Sequence, residues 1–421
     1  MKLGEKVAST FRAFRNRNYA LFFMGQSVSQ IGTWMQRTAI SWVVYSMTHS
    51  TFMLGLTIFA SQFPSFLLSL YGGIISDRYN RYKILLVTQT ASMIQAVLLA
   101  ILTLTNSYTV WQILILGIVL GVINAFDVPA RQPLIHEMVN DKSELSNAVA
   151  LNSSMVNLAK LIGPALAGIT LQKFGAGICF LLNAVSFIAV LASLLLMKFP
   201  EFKPPAVKKK ITTELTEGFQ YLKHNPHISI ILLLLTTVSL LVMPYDTLIP
   251  VFAKVIFNGD AATFGYISSF IGLGAITGTL FLASLKSDKN LKLVLLANTA
   301  ILGVGLICFS HTVYFSVAMA FAVLAGFGSM AQNTICITII QIESAPTMRG
   351  RVISYVAMAV FGMLPLGSLL IGAISQQLGA PNTMLCQGIL ALIIAAVFYN
   401  FLKNDTFTKK DKELLEEAEA L

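Results

Sequence analysis

The run Gly73-Ile74-Ile75-Ser76-Asp77-Arg78-Tyr79-Asn80-Arg81-Tyr82-Lys83 gathers an acid and three bases into a few residues of an otherwise apolar stretch. Apolar runs flank it, roughly 52–76 before it and 83–105 after it. A helix rises about 1.5 Å per residue, so each run can cross a hydrocarbon layer of about 30 Å. The charged segment therefore reads as a tight hairpin between two spanning helices. Working outward, spans are expected at roughly 18–47, 52–76, 83–105, 110–132, 146–172, 178–198, 228–252, 262–285, 291–310, 313–341, 351–377 and 382–402.

Composition agrees with this reading. Of the 421 residues 56% are hydrophobic and 11% charged, with a mean hydropathy of +0.74, whereas soluble domains carry about 25% charged residues. The alternation of an outer-membrane barrel is absent, and unpaired backbone groups are too costly in hydrocarbon for most alternatives to helices. The expected fold class is an all-α membrane protein of twelve transmembrane helices in two six-helix bundles.

The net charge of +10 could suggest a nucleic-acid partner, but the placement of the bases argues for topology instead. With the N-terminus inside, all of the 29 basic residues except Arg37, Lys160, Lys173 and Lys254 fall in or beside inner segments. The positive-inside rule then puts both termini in the cytoplasm, with membrane lipids around the spans and no nucleic-acid partner. The first apolar run, from Tyr19, is too long for a signal-peptide core, so no cleavable leader is expected. Cys179, Cys308, Cys336 and Cys386 lie far apart within apolar runs and read as small core residues, with no metal or cofactor expected.

The longest polar stretch, 199–227, contains Pro200, Pro204, Pro205 and the Lys208–Lys210 run. It divides the chain into an N-terminal bundle (1–198), a linker (199–227), a C-terminal bundle (228–402) and a charged tail (403–421), the tail expected as a loose helix. Within the linker, Leu215, Phe219 and Leu222 share one helical face, as in a short helix lying on the membrane surface. The halves look like repeats. Ser76-Asp77-Arg78 matches Ser287-Asp288-Lys289, and Leu54-Gly55 matches Phe264-Gly265, at offsets of about 210 residues. Two parallel repeats suit bundles that rock about a midplane site.

The hairpin resembles the major facilitator superfamily, whose loop between helices two and three follows G-x-x-x-D-R-x-G-R-[RK]. Gly73, Asp77, Arg78 and Arg81 match; Asn80, a residue common in left-handed backbone, stands for the usual Gly, and Tyr82 breaks the last basic position. The resemblance implies a cytoplasmic latch, closed when the cavity faces outward. Asp77 would then sit against the start of helix eleven near Arg349 and Arg351, and the bases would pair with Asp127 on helix four, with Arg131 beside it in the latch. Plain positive-inside topology is the alternative for these bases, and a local pair with Arg131 the alternative for Asp127.

Phe126-Asp127-Val128-Pro129-Ala130-Arg131-Gln132, Gly163-Pro164-Ala165-Leu166-Ala167-Gly168 and Ala345-Pro346-Thr347-Met348-Arg349-Gly350-Arg351-Val352 narrow the resemblance. They are similar to a subgroup holding bacterial siderophore exporters and macrolide and other drug efflux proteins. That likeness implies export of a siderophore or related amphipathic metabolite by alternating access, with protons as coupling ion and a monomeric carrier. Multidrug efflux, or import of a nutrient or lysophospholipid, is the rival within the fold. Gly163, Pro164 and Gly168 also resemble the antiporter motif of drug–proton exchangers, in a truncated form, where small residues allow close helix packing.

Ionisable residues inside spans are expensive and mark function. Arg37 lies about 19 residues into helix one and Asp246 about 18 residues into helix seven, between Pro244 and Pro250. They are expected to pair across the halves as a periplasmic gate, or else to pair within their own halves. Lys160, near the middle of helix five with Asn157 on its face, suits an anionic substrate or a structural partner. Gln26 and Gln30 on helix one, with Asn124, Gln332 and Asn333, suit a wet, hydrogen-bonding cavity, although such amides also glue helices together. Phe22, Phe23, Trp34, Trp42 and Phe63 remain open between lipid, core and substrate. No phosphate loop, H-E-x-x-H or catalytic triad is apparent, so neither an ATP-driven pump nor an enzyme is expected.

Overall fold

The computed structural model describes residues 11–139, 142–199, 211–285 and 290–403. In chain order, α1 is Arg17–Thr48, α2 Thr51–Arg78, α3 Arg81–Leu104, α4 Val110–Met138, α5 Lys142–Phe174 and α6 Ala176–Leu196. After a linker helix, Ile211–His224, α7 starts as Pro226–Leu241 and continues irregularly to Ile256. Then come α8 Ala261–Ser284, α9 Leu291–Ser310, α10 Phe315–Glu343, α11 Arg349–Leu378 and α12 Ala380–Lys403. Eleven of the described helices are long and apolar enough to cross a membrane by length and composition. The exception, α1, has 32 residues, about 48 Å of helix, but carries amides, hydroxyls and Arg37 along one face.

Helix ends explain the short connections. Ser50 caps α2, and Thr109 with Gln112 forms a capping box on α4, as Asp260 with Thr263 does on α8. Asn80 corrects its expectation. Its backbone is extended (φ −63°, ψ 111°), not left-handed, and its side chain caps α3 by accepting from the Tyr82 and Lys83 amides. Asn290 caps α9 in the same way.

Successive spans alternate between the end of the bundle that holds residues 17 and 403, the terminal end, and the opposite, distal end. In the first half α2 packs on α4, α3 on α4 and α6, and α1 on α5 and α6. In the second half α8 packs on α10, α9 on α10 and α12, and α7 on α11, so the pattern recurs six helices later. Two ion pairs follow the same repeat: Arg81–Glu137 (2.5 Å) ties α3 to α4, and Lys292–Glu343 (3.5 Å) ties α9 to α10. The halves meet along two long seams, α2 with α11 and α5 with α8. The repeat-mate glycines sit at those seams, Gly55 against the Ser368 backbone and Gly265 against the Pro164 carbonyl. The expected counterpart loop, Ser287-Asp288-Lys289, lies outside the described residues, as do the Lys208–Lys210 run and the tail from 404.

Helix α7 loses its regular form where Pro244 removes an amide donor: a 3₁₀ turn spans Met243–Leu248 and a π turn Phe252–Ile256. Backbone freed at this depth must find partners within the protein. Gln387 of α12 supplies one, its amide nitrogen donating to the carbonyls of Leu241 (3.2 Å) and Val242 (3.3 Å). Gln387→Leu keeps the volume and removes the donor, so it is expected to cost about 1–2 kcal/mol. A lowered unfolding midpoint in detergent checks this; an unchanged midpoint would show that water serves those carbonyls instead.

The linker helix packs on the terminal end of the second half. Gly218 lies against Tyr355 and Arg351, Glu217 pairs with Arg351 at 2.6 Å, and the Ala345 amide donates to the Tyr221 hydroxyl. Its expected single apolar face is divided, because Leu222 enters the core of the second half while Phe219 is exposed. The four cysteines are unpaired. Cys179 and Cys336 are buried and Cys308 is partly covered, but Cys386 is exposed on α12 and is not a core residue.

Candidate transport cavity

Between the halves lies a cavity of about 1930 Å³, walled by residues of both. The amphipathic pattern of α1 points into it: Gln26, Gln30, Thr33 and Arg37 line the wall at helical spacing, which is why this span can be so polar. Helix α2 adds a stripe at strict four-residue spacing, Thr57, Ser61, Ser65, Ser69, Gly73 and Asp77, all on the wall. The irregular part of α7 contributes Met243, Pro244, Asp246 and Thr247. The neighbouring α11 offers Met358, Phe361 and Leu364 beside Ser354 and Ser368, and α2 itself adds Phe66 and Leu70. The lining can therefore meet both hydrogen-bonding and apolar groups of a ligand.

The cavity reaches the terminal end, where its wall includes Asp77, Arg78, Gly350 and Arg351. A Cβ added at Gly73 or at Gly350 would meet nothing within 4 Å, so α2 and α11 stand apart there. The ion pairs described for the hairpin residues stay within one half: Arg81 with Asp77 (3.2 Å) and Glu137, and Arg131 with Asp127. Arg351 pairs with the linker's Glu217, and Arg349 is exposed at the start of α11, off the cavity wall.

The distal end is sealed. Gln376 accepts hydrogen bonds from the Ser50 hydroxyl and Thr51 amide (2.9 Å each), and the Thr51 hydroxyl donates to the Gly372 carbonyl (2.9 Å). Along the other seam, Gly168 lies against Ala261 and Ala262, and Gln172 donates to Asp260. Gly163 lets Trp34 of α1 approach α5, so the Gly163-Pro164-Gly168 motif touches α1 on one side and α8 on the other. Trp42 stacks on Phe264 across the halves, and Lys254 of α7 stands over the Trp42 and Tyr45 rings of α1.

Arg37 and Asp246 share the cavity wall but form no ion pair within 4.0 Å, so the expected gate pair is not made in this state. The 3₁₀ turn carries Asp246 on the cavity wall, which Lys160 also lines. Sealing falls to the tighter glycine, amide and aromatic contacts further toward the distal end.

Of the other expected residues, Gln26, Gln30, Asn124 and Lys160 line the cavity, whereas Asn157, Gln332 and Asn333 do not. Gln332 is fully buried, with its amide directed at Cys336. Asp127 is also buried, accepting from Thr88 (2.8 Å) and Gln89 (2.7 Å) besides Arg131. A second buried set, Gln36 with Gln95 and Asn183, joins α1, α3 and α6 as interhelical glue. The α2 stripe and Trp34 went unassigned, although the spacing of the hydroxyls was readable.

Two helical bundles related by a six-helix repeat around one central cavity define a multi-pass membrane transporter of the major facilitator class. The chain belongs to the family described as transmembrane secretion effector, whose profile matches residues 8–418. It is 28% identical over 386 residues to the staphyloferrin A transporter of Staphylococcus aureus, covering 90% of this chain and 94% of that protein. It is 26% identical over 402 residues to the enterobactin exporter EntS of Escherichia coli (94% and 93% covered). With macrolide efflux protein A of Streptococcus pyogenes it shares 21% over 383 residues (89% and 93%). Among solved structures, a bacterial homologue of the lysosomal transporter Spinster in an inward-facing, unoccupied conformation aligns with a TM-score of 0.70 at 16% identity, covering 94% of this chain and 98% of that one. A POT family transporter in complex with 5-aminolevulinic acid aligns at 0.72 and 13% identity (93% and 97%). These structural likenesses concern the fold.

Proposed function

We propose that the protein exports a siderophore or a related amphipathic metabolite by alternating access, driven by the proton motive force across a bacterial inner membrane. The observation that carries this is the cavity itself, larger than the roughly 300–1,000 Å³ of ordinary small-ligand pockets and lined by hydrogen-bonding and apolar groups together. The names of the two siderophore-transporting relatives support the same substrate class.

In this reading the terminal end is cytoplasmic, the bundles 1–198 and 228–402 move as a monomeric carrier, and the structure is open inward. Asp77, Arg78, Arg81, Arg349 and Arg351, with Gly73, form the latch that closes when the cavity turns outward. The distal seal then opens, and Arg37 and Asp246 become the inner face of that gate. Gln26, Gln30, Asn124 and Lys160 contact the substrate. With Arg131 and Arg351 paired to Asp127 and Glu217, the bases Arg37, Arg78 and Lys160 remain on the described wall against Asp77 and Asp246, a lining with no acidic excess to favour cationic drugs.

The test is transport in inside-out membrane vesicles energised with the full proton motive force, potential and pH gradient together. A siderophore should accumulate only in vesicles containing the protein, and collapsing both components should abolish the uptake. Accumulation of a macrolide but no siderophore would move the protein to drug efflux; uptake only in right-side-out vesicles would make it an importer.

A further inference from the structure

Arg37 and Lys160 come from different helices yet stand over the same indole. The Arg37 guanidinium carbon is 4.9 Å and the Lys160 ammonium 5.9 Å from the Trp34 ring centroid. Trp34 and Arg37 are three residues apart on the cavity face of α1, and Gly163 brings α5, with Lys160, up to Trp34. A cation held against an aromatic face is positioned without being neutralised. Asp246 of α7 lines the same cavity wall and ion-pairs with neither within 4.0 Å. The other acid on the described wall, Asp77, lies at the terminal end beside Arg81, and Asp127 is turned into its own half. On the same turn as Asp246, Tyr245 is buried and off the cavity wall. Two positive charges, one negative charge and an open volume thus meet at one level of the cavity.

We propose that Arg37 and Lys160, braced by Trp34, form a binding site for a multivalent carboxylate-type anion, and that Asp246 is its built-in competitor, so that the anion and a proton bind together. When Asp246 is charged it holds part of the field of both cations. When it takes a proton, that field is free for the substrate, and each ligand favours the other by linkage. The proposal rests on the cavity being the transport site and adds the sign of its coupling. A proton on Asp246 travels with the anion, and the membrane potential acting on the anion's remaining charge drives outward movement. An antiporter using this acid would need the opposite sign.

The experiment is calorimetric binding by the purified full-length protein in detergent, with two probes. One is 1,3-benzenedisulfonate, whose charge does not change with pH; the other is citrate. Binding of the disulfonate should strengthen as pH falls, with proton uptake revealed by comparing two buffers of different ionisation enthalpy. Arg37→Gln and Lys160→Gln should each weaken both probes by about tenfold. Asp246→Asn should tighten the disulfonate about tenfold at the alkaline end and remove the pH slope. No binding of either probe, proton release in place of uptake, or undiminished affinity in both Gln variants would overturn the proposal. The wild-type proton count needs no variant, so misfolding of a mutant cannot hide the answer. Siderophore accumulation in vesicles without anion binding at these residues would sink this site and leave the export reading standing.

Discussion

Asp127→Ala is expected to destabilise the protein by about 2–3 kcal/mol, and Asp127→Ala with Arg131→Met to restore most of that loss. The carboxylate is buried and accepts from Thr88, Gln89 and Arg131, so its removal strips three donors from two helices at once. The larger share of the cost is the charge left behind. Arg131 loses its counter-ion, and its Nε already lacks a partner. The value falls at the low end for a broken buried pair because 21% of the Arg131 side chain already reaches the cavity. Replacing both members by apolar groups removes charge and counter-charge together, which is why the double variant recovers. Unfolding midpoints of the two variants in detergent decide the matter. If the double variant is no better than the single, the carboxylate serves the hydroxyl and amide of α3 and the ion pair contributes little.

The spans were legible because twenty-residue apolar runs leave a chain few choices in a membrane, and the observed helices follow the expected ranges closely. Leu54-Gly55 and Phe264-Gly265 also betrayed the repeat, since close backbone approach at two seams needs a missing side chain in each half. What escaped depends on partners distant in sequence. Gln387 was not singled out, because the carbonyls it serves lie 146 and 145 residues away and face it only where α7 has lost its regular form. Arg37, Lys160 and Asp246 were readable as exceptional charges, but not their meeting on one cavity wall, which requires knowing that α1, α5 and α7 converge. The α2 stripe was missed for another reason. Serine is cheap in a membrane helix, where it can donate to a carbonyl one turn back, as Ser61 does to Ile58 and Ser69 to Phe66. Its spacing carried the information, and its cost carried none.

Gly55→Leu and Gly73→Leu should push the carrier in opposite directions. A Cβ at position 55 would fall 2.2 Å from the Ser368 carbonyl oxygen and 3.1 Å from the Leu369 Cα, both backbone that cannot turn aside. Overpacking costs about 1–3 kcal/mol, and prising α2 from α11 also breaks the Thr51–Gly372 and Gln376 hydrogen bonds at about 1 kcal/mol each. About three to five kcal/mol against the distally sealed state is a shift of roughly 150- to several-thousand-fold, enough to invert most two-state populations. A Cβ at position 73 meets nothing within 4 Å, so Gly73→Leu leaves the sealed state as it is. Its cost arises only when the terminal ends of α2 and α11 approach, as the proposed latch requires. Spin labels at Ser107 and Val313, both exposed on distal loops of different halves, report the outcome in a background lacking the four native cysteines. Gly55→Leu should lengthen that distance and Gly73→Leu should hold it at the short value, with transport lost in both. Equal distances in the two variants would mean that α2 and α11 part together at both ends. The halves would then not rock about the central cavity, and the alternating-access reading would fall with them.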